Sequence, residues 1–205
     1  MQQNAKRILF FGGSFDPVHI GHLILARDAM ETFNYQKVVF IPTYISPFKV
    51  KTGHRADAKD RLNMLQLALS GVDYFEIEPY EILKGGVSYT LQTAQYLKQK
   101  HNLEKVHWLM GDDTFLKFHK WYRFKELLKI LLPVVLLRNS TEREVVNYAK
   151  TTLGLSPEGL KIFKSRRLEI SSTEIRNRLK EGKDIRFMVP DKVYSYIRER
   201  NLYKT

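Results

Sequence analysis

Short apolar, β-branched runs alternate with helical patterns along this 205-residue chain, and that alternation constrains its fold more than any other feature. Four runs are typical of strands buried on both faces: ILFF (8 to 11), VVFI (38 to 41), VHWLM (106 to 110) and VVLL (134 to 137). Two weaker strand candidates are YFEIE (74 to 78) and LKIF (160 to 163). Repeated strand–helix–strand units predict an α/β protein with a doubly wound parallel sheet and right-handed crossovers.

Helical patterns fill the connections between these runs. One helix is expected to begin near His19, a second to cover residues 56 to 70, a third to start with Ser88 as its N-cap, and a fourth to end at Gly154. After the last strand, SSTEIRNRLKEG and PDKVYSYIRERN, which has Pro190 near its start, predict two further helices.

The length favours a single domain over residues 1 to 205. We divide it into a Rossmann-like core over residues 1 to 165 and a small C-terminal helical extension over residues 166 to 205. A long basic loop over residues 43 to 57 follows the second strand, and long loops in compact domains are often functional.

Composition excludes several classes of protein. The sequence has no cysteine, which rules out disulfide scaffolds and thiolate chemistry. Its most apolar run, residues 127 to 137, is too short to span a bilayer, and MQQNAKR lacks the apolar core of a signal peptide, so we expect a cytoplasmic protein with no membrane partner. The net charge of +12 is equally compatible with a basic, solvated surface and with an anionic partner, without choosing among nucleotide, nucleic acid and lipid.

The segment GGSFDPVHIGH (12 to 22) lies where the first strand meets the first helix. Ligands of doubly wound sheets bind at such a turn, and free N–H groups at a helix start favour an anion. Gly12 and Gly13 are expected to let the backbone turn sharply beside the ligand. His19 and His22, about 4.5 Å apart along the helix axis, share a face, and Gly21 is expected to leave room for a phosphate between them.

Two alternatives to phosphate binding stay open for this segment on the residues alone. The pair of histidines is half of a metal site, or it satisfies a packed turn. Metal binding needs a third ligand, and the common helical zinc signature has histidines four apart with a glutamate between them, which this segment lacks. The dinucleotide fingerprint G-x-G-x-x-G is also absent, which argues against NAD-dependent redox chemistry.

A second segment, ISSTEIR (170 to 176), precedes a predicted helix. Its hydroxyl groups and free backbone N–H groups converge at one helix terminus, and Arg176 lies one turn further on, at a spacing that reaches the same phosphates. Taken alone, the segment favours an ordinary capped helix with a solvated arginine over a phosphate site.

The two segments together resemble the H-x-G-H and I-S-S-T-x-I-R motifs of the nucleotidyltransferase superfamily. They are most similar to those of the bacterial nicotinate-nucleotide adenylyltransferases, and the resemblance extends from residue 7 to about residue 203. SYT (88 to 90), GDD (111 to 113) and KWY (120 to 122) fall where that family has its substrate-binding segments.

The resemblance implies the roles of particular residues. His19, His22 and Arg176 are the expected catalytic residues. The expected ATP-binding residues are Gly12, Gly13, Ser14, Phe15, His19, Gly21, His22, Ile170, Ser171, Ser172, Thr173 and Arg176. The expected mononucleotide-binding residues are Lys49, Thr90, Asp112, Trp121 and Tyr122.

Trp121 is expected to stack on a nicotinate ring, Thr90 to contact the ring or its carboxylate, and Asp112 to accept hydrogen bonds from ribose hydroxyls. The loop after the second strand departs from the family pattern, since Thr43 and Phe48 stand where the family often has asparagine and histidine. The contacts expected in that loop therefore rest on Lys49.

The implied reaction is transfer of the adenylyl group of ATP to nicotinate mononucleotide, with Mg²⁺ entering on the ATP phosphates and no dedicated protein metal site. Nicotinamide mononucleotide or another phosphate-bearing acceptor is the alternative substrate. A non-catalytic RNA-binding module is the alternative from another class, but we find no RNA-binding motif and expect no nucleic-acid partner. A homo-oligomer is possible on this sequence.

Overall fold

The computed structural model describes residues 7 to 204 of the chain and contains a six-stranded, fully parallel sheet. The strands are β1 (Ile8–Gly13), β2 (Lys37–Pro42), β3 (Phe75–Ile77), β4 (Val106–Gly111), β5 (Leu131–Leu137) and β6 (Lys161–Lys164). Their order across the sheet is β3-β2-β1-β4-β5-β6. This is the doubly wound, Rossmann-like order, so the predicted fold class is confirmed.

Nine α-helices connect or flank the strands within the described residues. They are α1 (Ile20–Thr32), α2 (Ala58–Leu69), α3 (Tyr80–Lys84), α4 (Thr90–His101), α5 (Asp112–Phe115), α6 (Phe124–Ile130), α7 (Glu142–Tyr148), α8 (Ser172–Lys180) and α9 (Asp191–Glu199). Short 3-10 turns cover Pro47–Lys49, Phe118–Lys120 and Pro157–Gly159. After α7 a π-helical turn, Ala149–Leu153, ends at Gly154 in the left-handed conformation, as the glycine predicts.

Each face of the sheet packs against its own set of helices. Along β1, Leu9 joins a core with α1, α2, α8 and α9, while its neighbours Ile8 and Phe10 join a second core with α4, α6 and α7. Side chains of a strand alternate between the faces, so a strand buried on both faces must be apolar throughout. This explains why the strand segments appear as continuous apolar runs in the sequence.

The C-terminal helices pack as part of the same body. Ile175 of α8 and Val193 and Ile197 of α9 are buried in the core that contains Leu9. The predicted helix cap is Ser171, whose hydroxyl accepts the Glu174 N–H at 3.1 Å at the start of α8. No helix within residues 7 to 204 is both long and apolar enough to cross a bilayer.

The start of α4 differs from the prediction. Tyr89, not Ser88, occupies the N-cap position. The Ser88 hydroxyl instead accepts the Tyr44 N–H at 3.0 Å, and the Ser88 N–H donates to the Ile45 carbonyl at 2.9 Å. Ser88 therefore pairs with the segment that follows β2, a long-range contact that outweighs its local capping preference.

Candidate active site

Two adjoining cavities open at the carboxyl ends of β1 and β4, where the strand order reverses. The first, about 360 Å³, is here called the aromatic cavity; its rings come from Phe11, Phe48, Tyr89, Trp108, Trp121 and Tyr122. The second, about 260 Å³, is called the cationic cavity; its basic side chains are His19, His22, Lys49, Arg138 and Arg176. Ser14 and Lys49 line both cavities and so mark their junction.

The two sequence motifs meet in the cationic cavity. The Ser172 hydroxyl donates to the Pro17 carbonyl at 2.9 Å, and Nη1 of Arg176 donates to the Asp16 carbonyl at 2.7 Å. Nη2 of Arg176 also donates to the Thr173 hydroxyl at 3.1 Å. Segments about 150 residues apart in sequence are thus bonded directly, with the N-termini of α1 and α8 on one cavity. Two further residues of the second motif, Ile170 and Ser171, line the same cavity.

The two histidines form a stacked pair. Their rings lie 3.6 Å apart at an interplanar angle of 26°. Burial and the positive charge of Arg138 lower the pKa of His19 from 6.5 to about 4. Burial, His19 and Arg138 lower the pKa of His22 well below its usual value. Both rings are therefore neutral near pH 7 in the ligand-free protein.

The neutral state fixes where His22 carries its proton. Its Nδ1 accepts the backbone N–H of His19 at 3.2 Å, so the ring proton lies on Nε2. His22 is consequently a hydrogen-bond donor of defined direction without being charged. The Nδ1 atom of His19 is buried and has no protein partner, so its tautomer is free to follow a ligand.

The glycines of the first motif make room for rings of the protein. A Cβ atom on Gly21 would lie 3.0 Å from Nδ1 and 3.1 Å from Cε1 of His19. The His19 ring therefore gives a structural reason for a glycine at position 21, and room for a phosphate there stays a prediction. Gly12 and Gly13 lie within β1 and line the aromatic cavity, and a Cβ on Gly12 would overlap the Trp108 indole.

The expected mononucleotide-binding residues, with one exception, line the aromatic cavity. Trp121 is half-buried, and one face of its indole packs on Phe118 with ring centres 4.7 Å apart. Thr90 and the half-exposed Tyr122 lie on the same cavity. Lys49 reaches the junction, where its Nζ donates to the Ser14 hydroxyl at 3.0 Å.

Asp112 is the exception, since its carboxylate is fully buried and already bonded. Oδ2 accepts the backbone N–H groups of Arg138, Asn139 and Ser140 at 3.1, 2.8 and 2.6 Å, and Oδ1 accepts that of Asp113 at 2.9 Å. Burial raises its pKa, but these four donors outweigh burial and lower it. The position of Asp112 does not support a ribose contact and instead anchors the loop after β5.

Phe15 also lies apart from both cavities. It is 2 % exposed, and its ring packs edge-on against His22 with centroids 5.2 Å apart. An expected contact between Phe15 and the nucleotide therefore has no support in its position, although Phe15 supports the histidine pair from behind.

Sequence reasoning missed Arg138, which lines the cationic cavity, and Arg61, which bonds to Ser14 at the junction of the cavities. Arg138 follows β5 directly, so the rule that ligands bind at the carboxyl ends of strands identifies it. Arg61 is 1 % exposed and donates to the carbonyls of Ser14 and Tyr44 at 2.8 and 3.0 Å. It lies one turn from Met64 and Leu65 on the apolar side of α2. A charged residue among apolar positions of a helix is the sequence feature that could have identified it.

Comparison with known proteins identifies the family. The model of the family described as cytidylyltransferase-like matches residues 10 to 178. A probable nicotinate-nucleotide adenylyltransferase of Aquifex aeolicus is 49% identical over 168 residues, which are 81% of this chain and 99% of the relative. That of Hydrogenobaculum sp. is 40% identical over 197 residues, 96% of this chain and 97% of the relative.

Solved structures show the same fold. The Plasmodium falciparum nicotinic acid mononucleotide adenylyltransferase complexed with NaAD matches with a TM-score of 0.78 and 17% identity, covering 97% of each chain. Its complex with APC matches with a TM-score of 0.74. From the family model and the sequence relatives, this chain belongs to the cytidylyltransferase-like family and, within it, to the nicotinate-nucleotide adenylyltransferases.

Proposed function

We propose that this protein transfers the adenylyl group of ATP to nicotinate mononucleotide, forming nicotinate adenine dinucleotide and pyrophosphate for NAD biosynthesis. The observation that carries the proposal is the junction of the two cavities at Ser14 and Lys49. The reaction requires the mononucleotide 5′-phosphate to reach the α-phosphorus of ATP. An aromatic cavity that opens into a cationic one provides that approach.

The cationic cavity suits the triphosphate of ATP. In this proposal His19 and His22 donate to the α-phosphate and the oxygen that leaves with pyrophosphate. Arg176 and the N–H groups of Ser172 and Thr173 hold the β- and γ-phosphates. Because the attacking phosphate is already an anion, no general base is needed, and catalysis consists of positioning and charge stabilisation.

Arg138, which the sequence analysis did not identify, is assigned a function in this site. It shares the cavity with both histidines, and its charge helps to keep them neutral in the ligand-free protein. A neutral His22 that carries its proton on Nε2 donates to a phosphate without needing to be charged. The fixed positive charges then come from Arg138, Arg176 and, at the junction, Lys49.

The aromatic cavity suits the mononucleotide. Trp121 stacks on the nicotinate ring, Thr90 and Tyr122 contact the ring end, and Lys49 meets the 5′-phosphate at the junction. The geometry in support is that all four line this cavity and that Lys49 alone among them also lines the cationic one. No ribose contact is assigned to Asp112.

Mg²⁺ enters with ATP as part of the substrate. Within residues 7 to 204 no three histidine, aspartate or glutamate side chains are grouped as a metal site. Asp16 lines the cationic cavity, but its carboxylate is already bonded to the N–H groups of Arg55 and Ala56 and to the Tyr203 hydroxyl. We therefore expect phosphate oxygens and water to hold the ion, which neutralises phosphate charge.

The test is pyrophosphate release from Mg-ATP with nicotinate or nicotinamide mononucleotide. We expect release with the acid and a lower kcat/KM with the amide. His22→Ala should lower kcat about 10²- to 10³-fold with the fold intact, because it removes a transition-state donor. His119→Ala is the matched control, since His119 is exposed and lines neither cavity.

The outcomes separate the alternatives. A preference for nicotinamide mononucleotide would replace the acceptor but keep the reaction. No release with either mononucleotide would reject the enzyme, and salt-dependent RNA binding would then support the RNA-binding module. Near-normal turnover by His22→Ala would reject the role given to the histidine.

A further inference from the structure

A buried hydrogen-bond cluster borders the cationic cavity and joins three parts of the chain. Its centre is Asp16, which is 2 % exposed. Oδ2 of Asp16 accepts the Arg55 N–H at 2.8 Å, and Oδ1 accepts the Ala56 N–H at 3.0 Å. Oδ1 also accepts the hydroxyl of Tyr203, beyond α9, at 2.8 Å, and the Asp16 carbonyl accepts Arg176 at 2.7 Å.

Several positively charged groups lie near this cluster, so the orientation of the Asp16 carboxylate determines which of them it can neutralise. Lys49, Arg61 and Arg176 all lie close enough to influence Asp16 or its neighbour His54 electrostatically. The ring nitrogen Nδ1 of His54 is 3.8 Å from Oδ2, and neither ring nitrogen of that residue has a hydrogen-bond partner in the structure. The carboxylate is thus surrounded by groups toward which it could turn.

Tyr203 opposes that turn. Its side chain is buried, and burial together with the Asp16 charge raises the pKa of its hydroxyl, so the proton stays available for donation. With the hydroxyl in place, Oδ1 has two donors from the loop and the C-terminal extension. Without the hydroxyl, Oδ1 keeps one donor and the nearby cations compete for the carboxylate.

We propose that Tyr203 is a positioning residue of the cationic cavity: its hydroxyl directs the Asp16 carboxylate toward the loop backbone and away from the cations that receive the ATP phosphates. The inference rests on the proposed function, since it concerns how that site binds ATP. A carboxylate turned toward Arg176 neutralises a phosphate-binding charge and repels the triphosphate. Binding of the mononucleotide ring in the aromatic cavity is not affected by this reorientation of the carboxylate.

The experiment compares two tyrosine variants that each lose one hydroxyl. Tyr203→Phe is expected to raise the KM for ATP about 5- to 20-fold while the KM for nicotinate mononucleotide changes less than about 2-fold. Tyr196→Phe is the matched control, because the Tyr196 hydroxyl donates to Asp60 at 2.7 Å between α9 and α2 and lines neither cavity. We expect both variants to lose similar thermal stability, and only Tyr203→Phe to change the KM for ATP.

A double-mutant cycle with Asp16→Asn tests the mechanism independently. The asparagine side chain of Asp16→Asn is neutral, so its orientation cannot neutralise a phosphate-binding cation. Adding Tyr203→Phe to Asp16→Asn should therefore leave the KM for ATP unchanged. Equal ATP KM values for Tyr203→Phe and Tyr196→Phe, or an unchanged Tyr203→Phe effect in the asparagine background, would overturn the inference. If Tyr203→Phe does not fold alone, a change in the KM for ATP on adding Tyr203→Phe to Asp16→Asn would still overturn the inference. Failure of the proposed function is distinct, since the wild-type protein would then release no pyrophosphate.

Discussion

Replacing Asp112 by asparagine distinguishes a structural carboxylate from a substrate ligand. The aspartate accepts four backbone N–H groups, three of them on Oδ2 from Arg138, Asn139 and Ser140. An asparagine side chain can turn its single oxygen toward these three donors. Its NH₂ group then faces the N–H of Asp113, which Oδ1 accepts at 2.9 Å in the wild-type protein.

The expected cost follows from those contacts. Hydrogen bonds to a charged group contribute about 1.5–3 kcal/mol each, and neutral ones about 0.5–1.5 kcal/mol. The variant keeps three bonds without their charge assistance and loses the fourth to a donor–donor contact. Because the three share one oxygen and are not additive, we expect Asp112→Asn to lower the free energy of unfolding by about 2–4 kcal/mol.

Urea denaturation at pH 7 measures this difference, with an unchanged m-value as the sign that two-state unfolding is kept. Asp113→Asn is the control, since Asp113 is exposed, and it should stay within about 0.5 kcal/mol of the wild-type protein. In folded Asp112→Asn the KM for the mononucleotide should change less than about 2-fold. The reasoning is refuted if stability stays at the control value while that KM rises about 10-fold, which is the signature of a lost ribose contact.

Three further predictions concern the cavities and the buried histidines. Gly21→Ala should lower kcat about 10-fold with little loss of melting temperature, because the new Cβ displaces the His19 ring; an unchanged kcat would contradict this. Lys120 lines the aromatic cavity, and none of the described residues that line this cavity is acidic, so its positive charge should favour the acid mononucleotide over the amide. Lys120→Gln should therefore reduce the acid-to-amide ratio of kcat/KM about 3- to 10-fold. The control Lys125→Gln, at an exposed position, should leave that ratio unchanged. Burial lowers the pKa of His19 and of His107 from 6.5 to about 4, so between these pH values the unfolded chain binds protons that the folded protein does not. The urea midpoint should therefore fall as the pH decreases from 6.5 toward 4. A constant midpoint would contradict the lowered pKa values.

The sheet and the meeting of the two motifs could be predicted because they follow from local pattern and topology. Apolar runs such as those around Phe10 and Val135 identify strands buried on both faces, and parallel strands bring their carboxyl ends to one edge. The same rule places Arg138 at that edge, so this residue was within reach of sequence reasoning.

The partners of individual side chains could not be predicted in this way. The Asp112 carboxylate is already hydrogen-bonded because the loop after β5 passes next to it and donates its N–H groups, such as that of Ser140. Ser88 does not cap α4 because its N–H bonds to the Ile45 carbonyl. Gly21 faces His19 because the ring folds back over the first turn of α1. Each outcome depends on a contact whose distance and direction only the folded chain defines, and no periodicity in the sequence encodes it.

The bond between Tyr203 and Asp16 also has a consequence for protein synthesis. The two residues are separated by 187 positions, so a growing chain must be extended through residue 203 before this contact exists. Closing a loop of that length has an entropic cost that the surrounding packing must offset, so we expect the contact to form late in folding. Incomplete chains that have already formed β1 and α1 therefore present the histidine pair without Arg176 and the rest of the cationic cavity, and the cavity is complete only when α8 and Tyr203 are in place.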